Sequence, residues 1–169
     1  MMKRLGLLAA SMLLAAAPVQ AASLKMEISK GCSFSIALYE TAAPKHVAQI
    51  TALAKKGFYD GIIFHRVIDG FMAQTGDPTG TGTGGSDLPD IKAEFSGEHF
   101  GRGTVGMARS QNPDSANSQF FIMFADGGFL DGQYTVFGQV GEEGMKCVDQ
   151  IEKGEPPANP DKIVKLSVE

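Results

Sequence analysis

Apolar and polar residues alternate over Leu24–Ile28 and again over Ser33–Tyr39, with Ser29-Lys30-Gly31 between them. That period of two predicts a β-hairpin. Pro44 then opens a helix, because at a first-turn position its missing N–H leaves nothing unsatisfied. Val47, Ile50, Leu53 and Ala54 follow at helical spacing, and Gly57 closes the helix. Ile62 to Ile68 is β-branched and aromatic, which predicts a strand that turns at Asp69-Gly70 and resumes over Phe71 to Gln74. Thr75 to Asp90, rich in Gly, Thr, Asp and Pro, reads as a long surface loop. Three further strands are expected at Thr104–Ala108, Gln119–Phe124 and Thr135–Val140. Met145, Val148, Gln150 and Ile151 mark a second short helix ending near Gly154, and Ile163–Val168 alternates as a last strand. Many short strands, two helices and no βαβ rhythm favour a closed antiparallel barrel over a doubly wound sheet.

The first 21 residues follow a different pattern. Lys3 and Arg4 precede an apolar run from Leu5 to Ala17, and Pro18-Val19-Gln20-Ala21 ends in small residues. This is the layout of a secretory signal peptide over residues 1–21, cleaved after Ala21 or, second, after Ala22. The run is about 13 residues, short of the ~20 needed to span a bilayer, so no stable membrane anchor is expected. The remainder, residues 22–169, is then one exported domain: periplasmic in a cell with two membranes and extracellular otherwise.

Composition narrows the function. With 43% hydrophobic residues the chain is not disordered, and its 169 residues suit a single domain with no internal repeat. A formal charge of −4, falling to −6 once Lys3 and Arg4 are removed, argues against nucleic-acid binding. The three histidines (His46, His65, His99) and two cysteines (Cys32, Cys147) have no metal-ligand spacing, so no metal site is implied. Export permits one disulfide, Cys32–Cys147, but nothing in the sequence brings the two together, and two separate packed thiols are the expectation.

Several chemistries fail on context. Gly80-Thr81-Gly82-Thr83-Gly84-Gly85 matches G-x-G-x-x-G, but Ser86, Asp87 and Pro89 follow where a dinucleotide site needs a helix. It reads as a flexible loop. Neither Ser110 nor Ser118 lies in a nucleophile elbow. His65 within a strand is expected to be a core histidine with a satisfied hydrogen bond, rather than a general base. His46 is expected to be solvated on its lysine-rich helix, and His99 carries no signal. The unusual feature is Arg66 among apolar residues, with Gln74 eight positions on and Gln119 before Phe120-Phe121. Alternation puts His65 and Val67 on one face and Phe64, Arg66 and Ile68 on the other.

Those residues carry a resemblance. Phe64-His65-Arg66-Val67-Ile68 with Gly70-Phe71-Met72-Ala73-Gln74-Thr75-Gly76-Asp77 resembles the signature of the cyclophilins, peptidyl-prolyl cis–trans isomerases. So do Gly106-Met107-Ala108-Arg109, Asn117-Ser118-Gln119-Phe120-Phe121-Ile122, and Phe129-Leu130-Asp131-Gly132 with Val136-Phe137-Gly138. The blocks occur in the family's order and cover essentially all of residues 22–169. The resemblance implies a closed eight-stranded antiparallel β-barrel capped by two α-helices, without a cofactor, and a monomer acting on proline-containing segments of unfolded or exported proteins. It implies that Arg66 is the catalytic arginine and that Phe71, Met72, Phe121 and Leu130 hold the proline ring. Gln74 would steady Arg66, Gln119 would contact peptide, and Ala108 and Arg109 would pair with its backbone. Arg109, Phe129 and Tyr134 replace an asparagine, a tryptophan and a histidine common in eukaryotic members. Without an indole N–H at Phe129, weak cyclosporin binding is expected.

Overall fold

The computed structural model describes residues 22–169, so the predicted leader over residues 1–21 lies outside the described residues. Eight strands are present: β1 (Ser23–Ile28), β2 (Ser33–Leu38), β3 (Arg66–Ile68), β4 (Met72–Thr75), β5 (Thr104–Met107), β6 (Phe120–Met123), β7 (Val136–Val140) and β8 (Ile163–Val168). They form one antiparallel sheet in the order β3-β4-β6-β5-β7-β2-β1-β8. Two helices, α1 (Pro44–Lys55) and α2 (Glu142–Val148), pack against the curl. Among the described residues no helix is long and apolar enough to cross a membrane.

The expected closure of the barrel is corrected: the sheet is a curled, open half-barrel. Residues 62–65 are irregular, so the strand expected over 62–68 begins only at Arg66. The outer edge of this short β3 is already occupied, because Val67 exchanges two backbone hydrogen bonds with Gly154, at 2.8 Å each. β8 therefore cannot form a ladder with β3. The gap is spanned instead by the irregular segment before β3, through an Ile63–Lys162 bridge and backbone bonds from Gly61 N–H to the Ile163 carbonyl (2.7 Å), Ile163 N–H to the Ile62 carbonyl (2.8 Å) and Phe64 N–H to the Asp161 carbonyl (2.8 Å). The same irregularity moves Phe64 from the Arg66 face into the main core.

The period-two pattern works on both faces of β6. Phe120 and Ile122 enter the main core with Leu24, Ile36, Ile50 and Phe137, while Phe121 and Met123 join a second cluster outside the curl with Met72, Phe100, Leu130 and Val136. Gly106 makes that second cluster possible. A Cβ there would come within 2.6 Å of Phe100 and 2.7 Å of Phe121, whose rings stack at 5.7 Å.

The two ends of α1 are finished differently, and the N-terminal end buries His46. At the C-terminal end, Gly57 (φ +70) lets its own N–H reach the Ala54 carbonyl and the Phe58 N–H reach that of Leu53, which stops the helix. The N-terminus has no local side-chain cap. Instead the Glu94 carboxylate, from a distant loop, accepts the N–H groups of Lys45 (3.1 Å) and His46 (3.0 Å) and sits 2.6 Å from His46 Nδ1. His46 is thus buried, not solvated. Burial lowers its pKa against the opposing pull of Glu94.

The expectation of two free thiols is also corrected. Cys32 and Cys147 form a disulfide, with Cα atoms 6.0 Å apart. The β1–β2 turn lies against α2, where Gly144 leaves room for Phe34; a Cβ there would lie 2.9 Å from Phe34 Cβ. That packing brings the two cysteines to one place.

Candidate functional site

The outer face of β3, β4 and β6 forms the floor of a cavity of about 540 Å³. Strand register assembles it. Arg66 lies opposite Gln74, and Gln74 lies opposite Phe121. Phe71 enters from the β3–β4 turn and Met72 from the start of β4. Ala108 and Arg109 follow β5, Tyr134 precedes β7, and Leu130 comes from a single 3₁₀ turn, Gly128–Leu130. All of these line the cavity. Phe121 is held edge-on to Tyr134, with ring centres 6.0 Å apart.

Two of the expected site residues sit elsewhere. Phe129 does not line the cavity; it stands 66% exposed at the rim, its ring 5.6 Å from that of Phe71. Gln119 lines an adjoining polar cavity of about 550 Å³ shared with Gln74, Ala108 and Arg109. Gln74 faces Arg66 across the ladder, yet its amide donates to Gln119 Oε1 (2.9 Å). Arg66 instead donates through Nε to Glu155 Oε1, at 2.8 Å. Arg109 is folded along the rim. Its Nη2 donates to the Gln133 carbonyl (2.6 Å) and its guanidinium lies 4.3 Å above the Tyr134 ring.

Sequence reasoning missed His65, the Gly80–Gly82 stretch, Glu155 and Pro156, all of which line the cavity. His65 is buried as expected, but among the described residues neither ring nitrogen finds the hydrogen-bond partner expected for it. Burial lowers its pKa, Asp77 opposes that, and Arg66 adds to it. The glycine-rich loop is not loose. Buried Asp77 accepts four hydrogen bonds, from the Thr79 N–H and hydroxyl and from the Gly82 and Gly84 N–H groups. Burial alone would raise the Asp77 pKa, but the Thr79, Gly84 and Gly82 donors outweigh it and bring it to about 2.

The Leu130 wall has its own brace. His99 lies between Asp131 (Nδ1, 2.7 Å) and Asp126 (Nε2, 2.7 Å), and the Phe100 N–H donates to Asp131 at 2.8 Å. Hydrogen bonds to the Asp131 carboxylate and then to that of Asp126 raise the His99 pKa.

The site is thus a surface cleft on the outside of a curled antiparallel sheet, with apolar walls from Phe71, Met72, Phe121 and Leu130 and the guanidinium groups of Arg66 and Arg109 at its edges. Residues 23–168 match the family described as cyclophilin type peptidyl-prolyl cis-trans isomerase/CLD. A probable peptidyl-prolyl cis-trans isomerase of Brucella abortus is 59% identical over 143 residues, covering 75% of this chain and 72% of the relative. A peptidyl-prolyl cis-trans isomerase-like 1 of Aspergillus oryzae is 42% identical over 125 residues, with 70% and 75% covered. Among solved structures, a Cryptosporidium parvum cyclophilin crystallised in the presence of the dipeptide Ala-Pro superposes with a TM-score of 0.79 at 29% identity, covering 87% of this chain and 98% of that one. A cyclophilin from Hirschia baltica gives 0.77 at 30% identity, with 85% and 72% covered. The chain belongs to the cyclophilin-type peptidyl-prolyl cis–trans isomerases, enzymes that speed rotation about X–Pro peptide bonds.

Proposed function

We propose that this isomerase acts on proline-containing segments of exported proteins, with Arg66 as the group that stabilises the twisted bond. The observation that carries the reading is Arg66 standing at the edge of a cavity walled by Phe71, Met72, Phe121 and Leu130. An X–Pro bond resists rotation by roughly 18–20 kcal/mol because nitrogen shares its lone pair with the carbonyl. Rotation makes and breaks no covalent bond, so what the site must supply is a grip and a charge. The apolar walls hold the pyrrolidine ring while the acyl side turns. As the bond twists, the prolyl nitrogen becomes pyramidal and basic. A guanidinium donor then stabilises the twisted state more than either planar one, which lowers the barrier. Arginine suits this because its charge is permanent and its donors are coplanar. Gln119, Ala108 and Arg109 border the path that the residues before proline would follow.

The leader-like residues 1–21 support export, and a disulfide in the domain fits an oxidising compartment such as the periplasm. The protein is proposed to act there as a monomer, without a cofactor, and to bind cyclosporin weakly. The reaction is tested by cis-to-trans exchange of an Ala-Pro peptide with the protein and with Arg66→Ala. Removal of one preorganised donor is expected to slow turnover by about 10²–10³. A loss of less than about threefold would remove Arg66 from the mechanism.

A further inference from the structure

Arg66 has a long side chain on an exposed face, 44% accessible, so something must fix the plane of its guanidinium if it is to meet the prolyl nitrogen. Gln74, its neighbour across the ladder, is committed elsewhere. Its amide donates to Gln119, which in turn donates to the carbonyls of Gly82 and Gly84. The group that reaches Arg66 is Glu155, whose Oε1 lies 2.8 Å from Nε.

Glu155 is held there by the backbone on the near side of the bond. Val67, next to Arg66, and Gly154, next to Glu155, exchange both of their backbone hydrogen bonds. That pair sets the two side chains beside each other. Gly154 adopts φ +149, and a Cβ there would lie 2.6 Å from Pro157 Cα and 2.8 Å from the Pro156 carbonyl oxygen. Just before it, Lys153 is anchored by donating to the carbonyls of Asp149 and Ile151. The carboxylate therefore projects from a fixed segment between α2 and β8, not from a free loop.

We propose that Glu155 is a positioning residue for the isomerisation: by accepting from Nε it sets the plane of the Arg66 guanidinium and leaves Nη1 and Nη2 for the substrate. The inference rests on the reading of Arg66 as the donor to the twisted bond. Acting through Arg66, Glu155 affects the rotation step and not the grip on the proline ring. Its effect is bounded by what an exposed ion pair can do to a side-chain population, about threefold to fivefold.

The test measures kcat and KM for an Ala-Pro peptide with the parent, Glu155→Ala, Glu155→Gln, Arg66→Ala and the Arg66→Ala/Glu155→Ala double variant. NMR observation of the Arg66 Nε–H proton accompanies it. Glu155→Ala should lower kcat about threefold to fivefold with KM little changed, and speed exchange of the Nε–H proton with solvent. Glu155→Gln, which keeps an acceptor oxygen, should recover much of both. In the Arg66→Ala background, Glu155→Ala should change nothing further. Parental kcat in Glu155→Ala, alongside a crippled Arg66→Ala, would overturn the role of Glu155 and leave that of Arg66 standing. Parental turnover in Arg66→Ala would overturn both. An equal loss in both backgrounds, or a rise in kcat without the carboxylate, would also overturn the proposal.

Discussion

The Cys32–Cys147 disulfide joins positions 115 residues apart, between the β1–β2 turn and α2. Replacing both cysteines by alanine tests what that cross-link does. Alanine is the cleaner choice, because serine at Cys147, only 5% exposed, would bury an unpaired hydroxyl. For a closed loop of this length, chain-entropy theory gives a loss of about 16 cal/mol/K from the unfolded ensemble, or about 4.8 kcal/mol at 25 °C. That is an upper figure, since a real unfolded chain is already partly compact, and measured effects are typically about 2–4 kcal/mol. Against a total stability of about 5–15 kcal/mol for a domain, the loss is a large share. Urea unfolding of the parent and the double variant, without reductant, gives the difference directly. The variant should also show a steeper denaturant dependence, because its unfolded chain exposes more surface. Reductant should move the parent toward the variant and leave the variant unmoved. A difference below about 1 kcal/mol, or a parent indifferent to reductant, would refute the reasoning.

Asp77 gives a pH-dependent counterpart. Its folded pKa of about 2 lies below the ordinary value of 3.8, so the unfolded chain binds the proton first as pH falls. The stabilisation, on the order of 2 kcal/mol, is present above about pH 4 and lost toward pH 2. Asp77→Asn should remove that acid limb from unfolding curves taken across pH 2–5. It should also raise KM, by loosening Gly80–Gly82 at the cavity wall; an unchanged acid limb would contradict this. Cyclosporin should inhibit weakly, because the Phe129 side chain has no N–H to donate. Phe129→Trp should strengthen inhibition, and a submicromolar inhibition constant for the parent would count against the argument.

What was legible in the sequence was local or carried by linked motifs. The alternation in Ser33–Leu38 and Ile163–Val168 and the helix of Val47, Ile50 and Leu53 gave these elements to within a residue or two. The residues expected to form an apolar pocket with Arg66 line one cavity. What stayed hidden depended on partners far along the chain. His46 looked solvated because the Glu94 that buries it lies 48 residues away. Many short strands without a βαβ rhythm favour a closed barrel, and nothing in Ile62–His65 announces that Gly154 occupies the edge of β3. Glu155 was invisible for the same reason. An acid before Pro156-Pro157 reads as a connecting segment until the Val67–Gly154 pair sets it beside Arg66.

The central claim is that Arg66 acts on the twisted bond, not on peptide binding. Two-dimensional exchange NMR of an Ala-Pro peptide, recorded over a range of enzyme concentrations, yields both Kd and the rate of cis–trans interconversion on the enzyme. For Arg66→Ala the prediction is a Kd within about threefold of the parent and interconversion slowed by about 10²–10³. A variant that bound peptide about a hundredfold more weakly but turned it over at the parental rate once bound would contradict the claim, since Arg66 would then serve the grip alone.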